Sequence, residues 1–393
     1  MPTVEFLSGN EAASMAMKQI NPHVVCAYPI TPSTPIVESF ASFVANGEVE
    51  TEFVTPESEH AAMSACVGAA AAGGRVMTAT SSQGLALMHE MLFIAAGMRL
   101  PIIAAIASRA LSAPLNIHGD HGDSLASRDC GWIQLFSKNC QEIYDNVIQA
   151  VRISEHMDVR LPVMVCFDGF QLSHSIEDLQ VEDQPKVAGF IGPYQRVNAL
   201  LDFEDVVTHG LFDDTDWYFE HRRQVEIAQR AALPVVEAVG REFGEAFGRS
   251  YGLAVPYRLE DAETALVIQG VCTGTVEEVV DELRAAGRKV GLLQLRCYRP
   301  FPNGQLAESL KHLQAVGVAE RCSPNGTEGA PIYTELRSAM YDCSPRPRIA
   351  NFIYGLGGRD FPKAEVVRAF DLLDGVAAGQ GEGVLKWYLN LRE

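Results

Sequence analysis

Closely spaced cysteine pairs are missing from this sequence. Nine cysteines are spread along it, at positions 26, 66, 130, 140, 166, 272, 297, 322 and 343, and no two share a C-x-x-C spacing. Zinc and iron–sulfur sites usually draw two ligands from one turn, because local spacing organises half of the coordination sphere, so neither site is expected here. Thiols set inside apolar runs read as small buried hydrophobes. Long apolar runs are missing too, and no segment approaches the length of a membrane span. Basic residues are scarce: 31 Lys and Arg against 50 Asp and Glu give a net charge of −19. That balance argues against nucleic acid and against anionic membranes as partners. The opening residues MPTVEFLSGNEAASM carry charge and polar groups early, unlike a secretory leader, so the chain is expected in the cytoplasm. There is no short tandem repeat and no low-complexity segment.

What is present is the composition of a globular protein, 47% hydrophobic and 21% charged over 393 residues, enough for two or three domains. From Ser8 to Asp168 helical and strand signals alternate. A helix is expected over Asn10–Ile20, another from Ser33, and an Ala-rich one from near Pro56. HVVCAY, ETEFVT, RVMTAT, PIIAAIA and LPVMVCF read as buried strands. Uninterrupted apolar strands separated by helices predict a parallel sheet covered on both faces. Residues 189–257 carry no convincing strand and read as a helical connector packed on the first domain, with Pro234 expected to break or kink its long helix. From Ala265 a second βα series follows: ALVIQG, KVGLLQLR, AVGVAE and RIANFIYG as strands, with helices between them and at 363–373. The expected organisation is therefore α/β: a doubly wound parallel-sheet domain over 1–188, the connector over 189–257, and a smaller α/β domain over 258–393.

In an open α/β sheet, ligands bind beyond the carboxyl ends of the strands. Each first-domain strand gives way to a polar stretch: Pro29-Ile30-Thr31-Pro32-Ser33, then Pro56-Glu57-Ser58-Glu59-His60, then Ser81-Ser82-Gln83-Gly84, then Ser108-Arg109, and Asp168-Gly169. Glu57 fits a first helical turn, where a carboxylate suits the helix dipole. Glu59 shares its face with Ala62, Met63 and Cys66, where a carboxylate is costly without a partner or a task. Arg109 reads either as a structural ion pair or as a fork for a substrate carboxylate. His118, Asp120, His121 and Asp123 form a weak metal pattern that Asx turns in a Gly-rich loop explain as well. GLGGRDF at 355–361 reads as a tight turn or as a phosphate cradle, and YRPFP at 298–302 as a domain-packing loop.

YPITPST at 28–34, SEHAA at 58–62, TSSQG at 80–84, SRA with the later GDHGD, FDGFQLSH at 167–174, YRPFP and GLGGRDF together resemble the 2-oxoacid:ferredoxin oxidoreductase α chains, in family order and over nearly the whole chain. The GDHGD loop is most similar to the pyruvate-type branch. The resemblance implies a thiamine-diphosphate pyrimidine-type domain followed by a transketolase C-terminal-like domain. It implies that Glu59 hydrogen-bonds the aminopyrimidine ring, that Pro29 joins Glu59 in contacting the cofactor, and that Thr31 and Arg109 hold the 2-oxoacid carboxylate. The implied reaction is oxidative decarboxylation with coenzyme A to acyl-CoA and CO2, with electrons passed to ferredoxin. Thiamine enzymes hold Mg2+ and diphosphate through a G-D-G motif and a distant Asn; no G-D-G occurs here. The resemblance therefore implies a composite site, completed by a β subunit bearing the diphosphate half and an iron–sulfur cluster, with γ and δ subunits alongside. His60, Pro114 and Asn116 depart from the family pattern, which leaves substrate choice open. Two other readings fit parts of the sequence: a β-chain-like subunit of a thiamine-dependent 2-oxoacid dehydrogenase, and a non-catalytic assembly subunit.

Overall fold

The computed structural model describes residues 2–381, 383 and 385–392. Its strands are β1 (Thr3–Ser8), β2 (Val24–Cys26), β3 (Glu52–Val54), β4 (Val76–Thr80), β5 (Ile102–Ser108), β6 (Ile133–Phe136), β7 (Val163–Asp168), β8 (Ile176–Val181), β9 (Ala254–Tyr257), β10 (Thr264–Ile268), β11 (Val290–Leu295), β12 (Cys297–Arg299), β13 (Ala315–Glu320), β14 (Arg348–Ile353) and β15 (Lys386–Tyr388). The first sheet has seven strands in the order β12-β6-β7-β5-β4-β2-β3, all parallel except β12. The second has six, β15-β14-β13-β10-β11-β9, parallel except β9. This is the expected doubly wound α/β domain followed by a smaller one.

Side-chain alternation along the strands builds the layers. Val163, Val165 and Phe167 of β7 face a core shared with helices α1 (Gly9–Ile20) and α2 (Thr34–Ala45). Met164 and Cys166 face the opposite layer, which holds helix α3 (Glu59–Ala71). That second layer also contains Ala265, Val267, Leu293 and Leu295 of the other sheet, so the two domains share one apolar core. The YRPFP string contributes more than a packing loop: Cys297–Arg299 forms β12, the antiparallel edge strand of the first sheet.

The helix α4 (Ser82–Leu87) follows β4, and α5 (His89–Gly97) follows it in turn. Short α6 (Gly122–Ala126) precedes β6, α7 (Cys140–Glu155) precedes β7, and α8 (Gln184–Ile191) follows the β1–β8 ribbon. In the segment expected to be a helical connector, α9 (Tyr218–Phe247) continues through Pro234 as one helix of 30 residues. Of the break or kink expected at Pro234, the break does not occur, although the ring loses one N–H bond and crowds the carbonyl one turn back. The stripe of Ala228, Ala232, Val236, Val239 and Phe243 is anchored in the first core on both sides of Pro234. The same segment was expected to hold no strand, yet its last four residues form β9, which pairs with β11. A strand so short, with Pro256 inside it, is tolerated at an edge and gives little periodic signal.

Candidate active site

The carboxyl ends of β4, β5 and β7 lie side by side, and the predicted polar groups gather there. Helix α3 begins at Glu59, three residues later than expected, because the Ser58 side chain caps it by accepting the Ala61 N–H at 3.2 Å. Glu57 consequently lies outside the helix and is exposed. Glu59 is only 8% exposed, and none of the described residues donates a hydrogen bond to its carboxylate. Room for it is made by Gly84: a Cβ there would stand 2.4 Å from Thr80 Oγ1 and 2.8 Å from Glu59 Oε1.

Arg109 closes β5 and is 7% exposed. Its Nε donates to the Asn116 carbonyl (3.1 Å), Nη1 to the Thr31 carbonyl (2.8 Å) and Nη2 to Gln83 Oε1 (3.3 Å). All three acceptors are neutral, and no carboxylate of the described residues pairs with the guanidinium. A guanidinium has five N–H groups, so donors remain for an anion. Burial lowers its proton affinity and the nearby Asp123 charge raises it. The structural ion pair weighed for Arg109 is absent among the described residues; the fork is held by amide oxygens instead.

Thr31 and Pro29 are exposed on the loop beside Arg109. That loop is fastened from behind, where Asn10 Nδ2 donates to the Pro32 carbonyl at 2.8 Å. Pro29 and Thr31 therefore form an exposed rim, to which the buried Arg109 is joined through the Thr31 carbonyl.

The second domain closes over this edge through a buried ionic cluster. His121 Nε2 lies 2.9 Å and Arg321 Nη1 2.6 Å from Asp168 Oδ1, and the Val271 N–H donates to Asp168 Oδ2 at 2.8 Å. Burial alone would push the Asp168 carboxyl up; His121 and Arg321 outweigh it and hold the group well below the usual carboxylate range. Asp120 makes the anticipated Asx turn, accepting the Gly122 N–H at 2.7 Å. In GLGGRDF, the left-handed Gly357 and Gly358 pack so tightly on Asn116 and His118 that a Cβ would come within 2.5 and 2.4 Å. That contact, with the Gly358 N–H on the Gly119 carbonyl at 2.8 Å, makes the string a tight turn docked on the Arg109 loop. Arg321→Met is expected to lower the stability of the chain by about 3–5 kcal/mol, because it takes the guanidinium partner from a buried carboxylate. An unchanged midpoint of chemical denaturation would contradict this.

Residues 15–241 match the family described as "Pyruvate flavodoxin/ferredoxin oxidoreductase, thiamine diP-bdg", and residues 262–366 match "Pyruvate:ferredoxin oxidoreductase core domain II". The chain belongs to the pyruvate flavodoxin/ferredoxin oxidoreductase family.

Its relatives include pyruvate synthase subunit PorA of Thermotoga maritima, 50% identical over 98% of both chains, and that of Methanocaldococcus jannaschii, 47% identical over 92% of both. Ketoisovalerate oxidoreductase subunit VorA of Pyrococcus horikoshii is 41% identical over 98% of both chains. Among solved structures, a 2-oxoglutarate:ferredoxin oxidoreductase from Magnetococcus marinus has the same fold, with a TM-score of 0.73 at 21% identity. The match covers 94% of this chain and 65% of that one. Within this family fold, two residues beside Arg109 carry more than their sequence context suggested. Gln83 binds the guanidinium, and Asp123 is enclosed by backbone N–H groups rather than facing a metal. The sequence offered Asp123 only as part of a weak metal pattern and of the GDHGD string, neither of which pointed to this role.

Proposed function

We propose that the chain is the α subunit of a pyruvate:ferredoxin oxidoreductase and supplies one side of a thiamine diphosphate site shared with a partner subunit. The observation that carries this is the pairing of a buried, partnerless Glu59 carboxylate with an Arg109 fork that has no carboxylate of its own, on one open edge. The residues fit the cofactor: Gly84 gives the Glu59 side chain the room it occupies, and a ring nitrogen would satisfy the carboxylate that the protein leaves unpaired. When bound, thiamine diphosphate supplies the carbanion chemistry that breaks the bond to CO2. Glu59 would hydrogen-bond the aminopyrimidine ring and take part in its proton exchange, with Pro29 contacting the cofactor beside it. Arg109 and the Thr31 hydroxyl orient the 2-oxoacid carboxylate. The closed cluster of Asp168, His121 and Arg321 seals the edge on the second-domain side.

Mg2+ and the diphosphate are assigned to a β subunit, since this chain has no G-D-G. Iron–sulfur clusters belong to partner subunits, β with γ and δ, which pass electrons to ferredoxin; coenzyme A takes the acyl group. Partner subunits also account for the apolar residues left open along 203–219: Phe203, Phe212, Trp217 and Phe219 are 84%, 95%, 64% and 78% exposed. The reading of pyruvate as substrate is supported by the 50% and 47% identity to two pyruvate synthase subunits. The test is the purified complex given pyruvate and coenzyme A: ferredoxin or viologen should be reduced. Acyl transfer to a lipoyl carrier instead would refute the assignment. Gly84→Ala, which pushes a Cβ onto Glu59, is expected to weaken thiamine diphosphate binding by about 10-fold or more. Calorimetric titration of the cofactor-free complex reads this, and an unchanged Kd would contradict it.

A further inference from the structure

Asp123 is 2% exposed, and no Lys, Arg or His side chain of the described residues pairs with it. Its oxygens are filled otherwise. Oδ2 accepts the backbone N–H of Ser82 at 2.8 Å and that of Arg109 at 3.0 Å. Oδ1 accepts the Ser124 N–H at 2.7 Å and its hydroxyl at 3.2 Å. One oxygen thus ties together the ends of β4 and β5, on the edge assigned to the substrate.

Ser82 is the strained partner. It is fully buried with φ of 47°, the left-handed region that residues with side chains rarely occupy. A strained residue between a strand and a helix sometimes presents a nucleophile. Here the hydroxyl lies 2.6 Å from both the Ala110 carbonyl and Gln83 Oε1, two acceptors that share its single proton, and no histidine of the described residues bonds to it. What the turn does is aim Gln83, whose Oε1 also receives Arg109 Nη2. Asp123 therefore reaches the guanidinium by two routes: through the Arg109 backbone, and through Ser82 and Gln83.

A carboxylate is required for this. An amide has one acceptor oxygen, and its NH2 would face a donor. The negative charge also offsets part of the cost of burying Arg109 while leaving the guanidinium itself unpaired.

We propose that Asp123 is a positioning residue for the 2-oxoacid carboxylate, fixing the Arg109 fork and Gln83 by holding the Ser82 and Arg109 N–H groups on one oxygen. The proposal rests on the assignment of Arg109 to the substrate. Burial pushes the Asp123 carboxyl up to about 6, with Asp120 adding to the rise against the pull of the three backbone N–H groups. The charged and titratable groups facing it are Arg109 at the end of β5, Asp120 on its own loop, Cys166 on β7 and Cys322 beyond β13. Burial pushes both thiols up, so they stay neutral through this range. A proton on Asp123 would set an O–H against an N–H and release one strand end, so substrate affinity falls as pH drops through about 6.

The test uses the assembled complex. Asp123→Asn should raise KM for pyruvate by about 10- to 100-fold, as a small misplacement of a binding group does, with a much smaller change in kcat. In the unsubstituted enzyme KM should rise as pH falls through about 6. Arg109→Lys is the reference. If it raises KM and Asp123→Asn does not, the positioning role is overturned while the substrate assignment stands. If neither moves KM, the assignment fails and takes the proposal with it. Should Asp123→Asn fail to assemble, a KM that stays flat through that pH range overturns the proposal.

Discussion

Glu59→Gln is expected to lower turnover of the assembled complex by about 100- to 10,000-fold while leaving assembly and stability intact, the range seen when a positioned proton-transfer group is removed. The substitution keeps size and shape but takes away the ability to hold a proton that the cofactor ring can exchange. Stability should not fall, because the carboxylate is nearly buried and no described residue bonds to it. An amide of the same size breaks no hydrogen bond that the described residues make. Steady-state viologen reduction together with a melting curve measures both halves. Turnover within a few-fold of the unsubstituted complex would favour a non-catalytic assembly role.

Arg109→Lys comes second in size. Lysine keeps the charge but replaces a planar fork with a point charge on a flexible stem. Arg109 binds the carbonyls of Thr31 and Asn116 and the side chain of Gln83 at once, a geometry one ammonium cannot reproduce. Charge-assisted hydrogen bonds are worth about 1.5–3 kcal/mol, so KM for the 2-oxoacid should rise by about 100-fold. The effect should follow the carboxylate: a ligand without one should bind the variant and the parent alike. Equal weakening for both would mean the guanidinium only supports the loop.

Much of this rim was legible because apolar parallel strands end abruptly in polar residues, and ligands gather at that edge. β5 ending at Ser108 and followed by Arg109, and β4 followed by Ser81-Ser82-Gln83, show it directly. The less visible parts depend on contacts far apart in sequence. β6 is four residues long beside a Gly-rich loop, and β12 becomes a strand only by pairing with β6 from 160 or so residues away, beyond the reach of local periodicity. The β1–β8 ribbon leaves Val4, Phe6 and Ile176 exposed, so its alternation does not mark a buried face. Pro234 looked like a helix end because propensity argues from one residue, whereas the stripe on both sides of it is fixed by packing. Asp123 carried the loop's usual signature and gave no hint that one of its oxygens would meet two strand ends.

The central claim is that this chain holds half of a catalytic site. It is tested by assaying pyruvate- and coenzyme A-dependent viologen reduction with the purified chain, and again after adding the subunit that bears the G-D-G motif and the cluster-carrying subunits. No turnover alone and full turnover on reconstitution is the expected result; steady turnover by this chain without them would contradict the composite site.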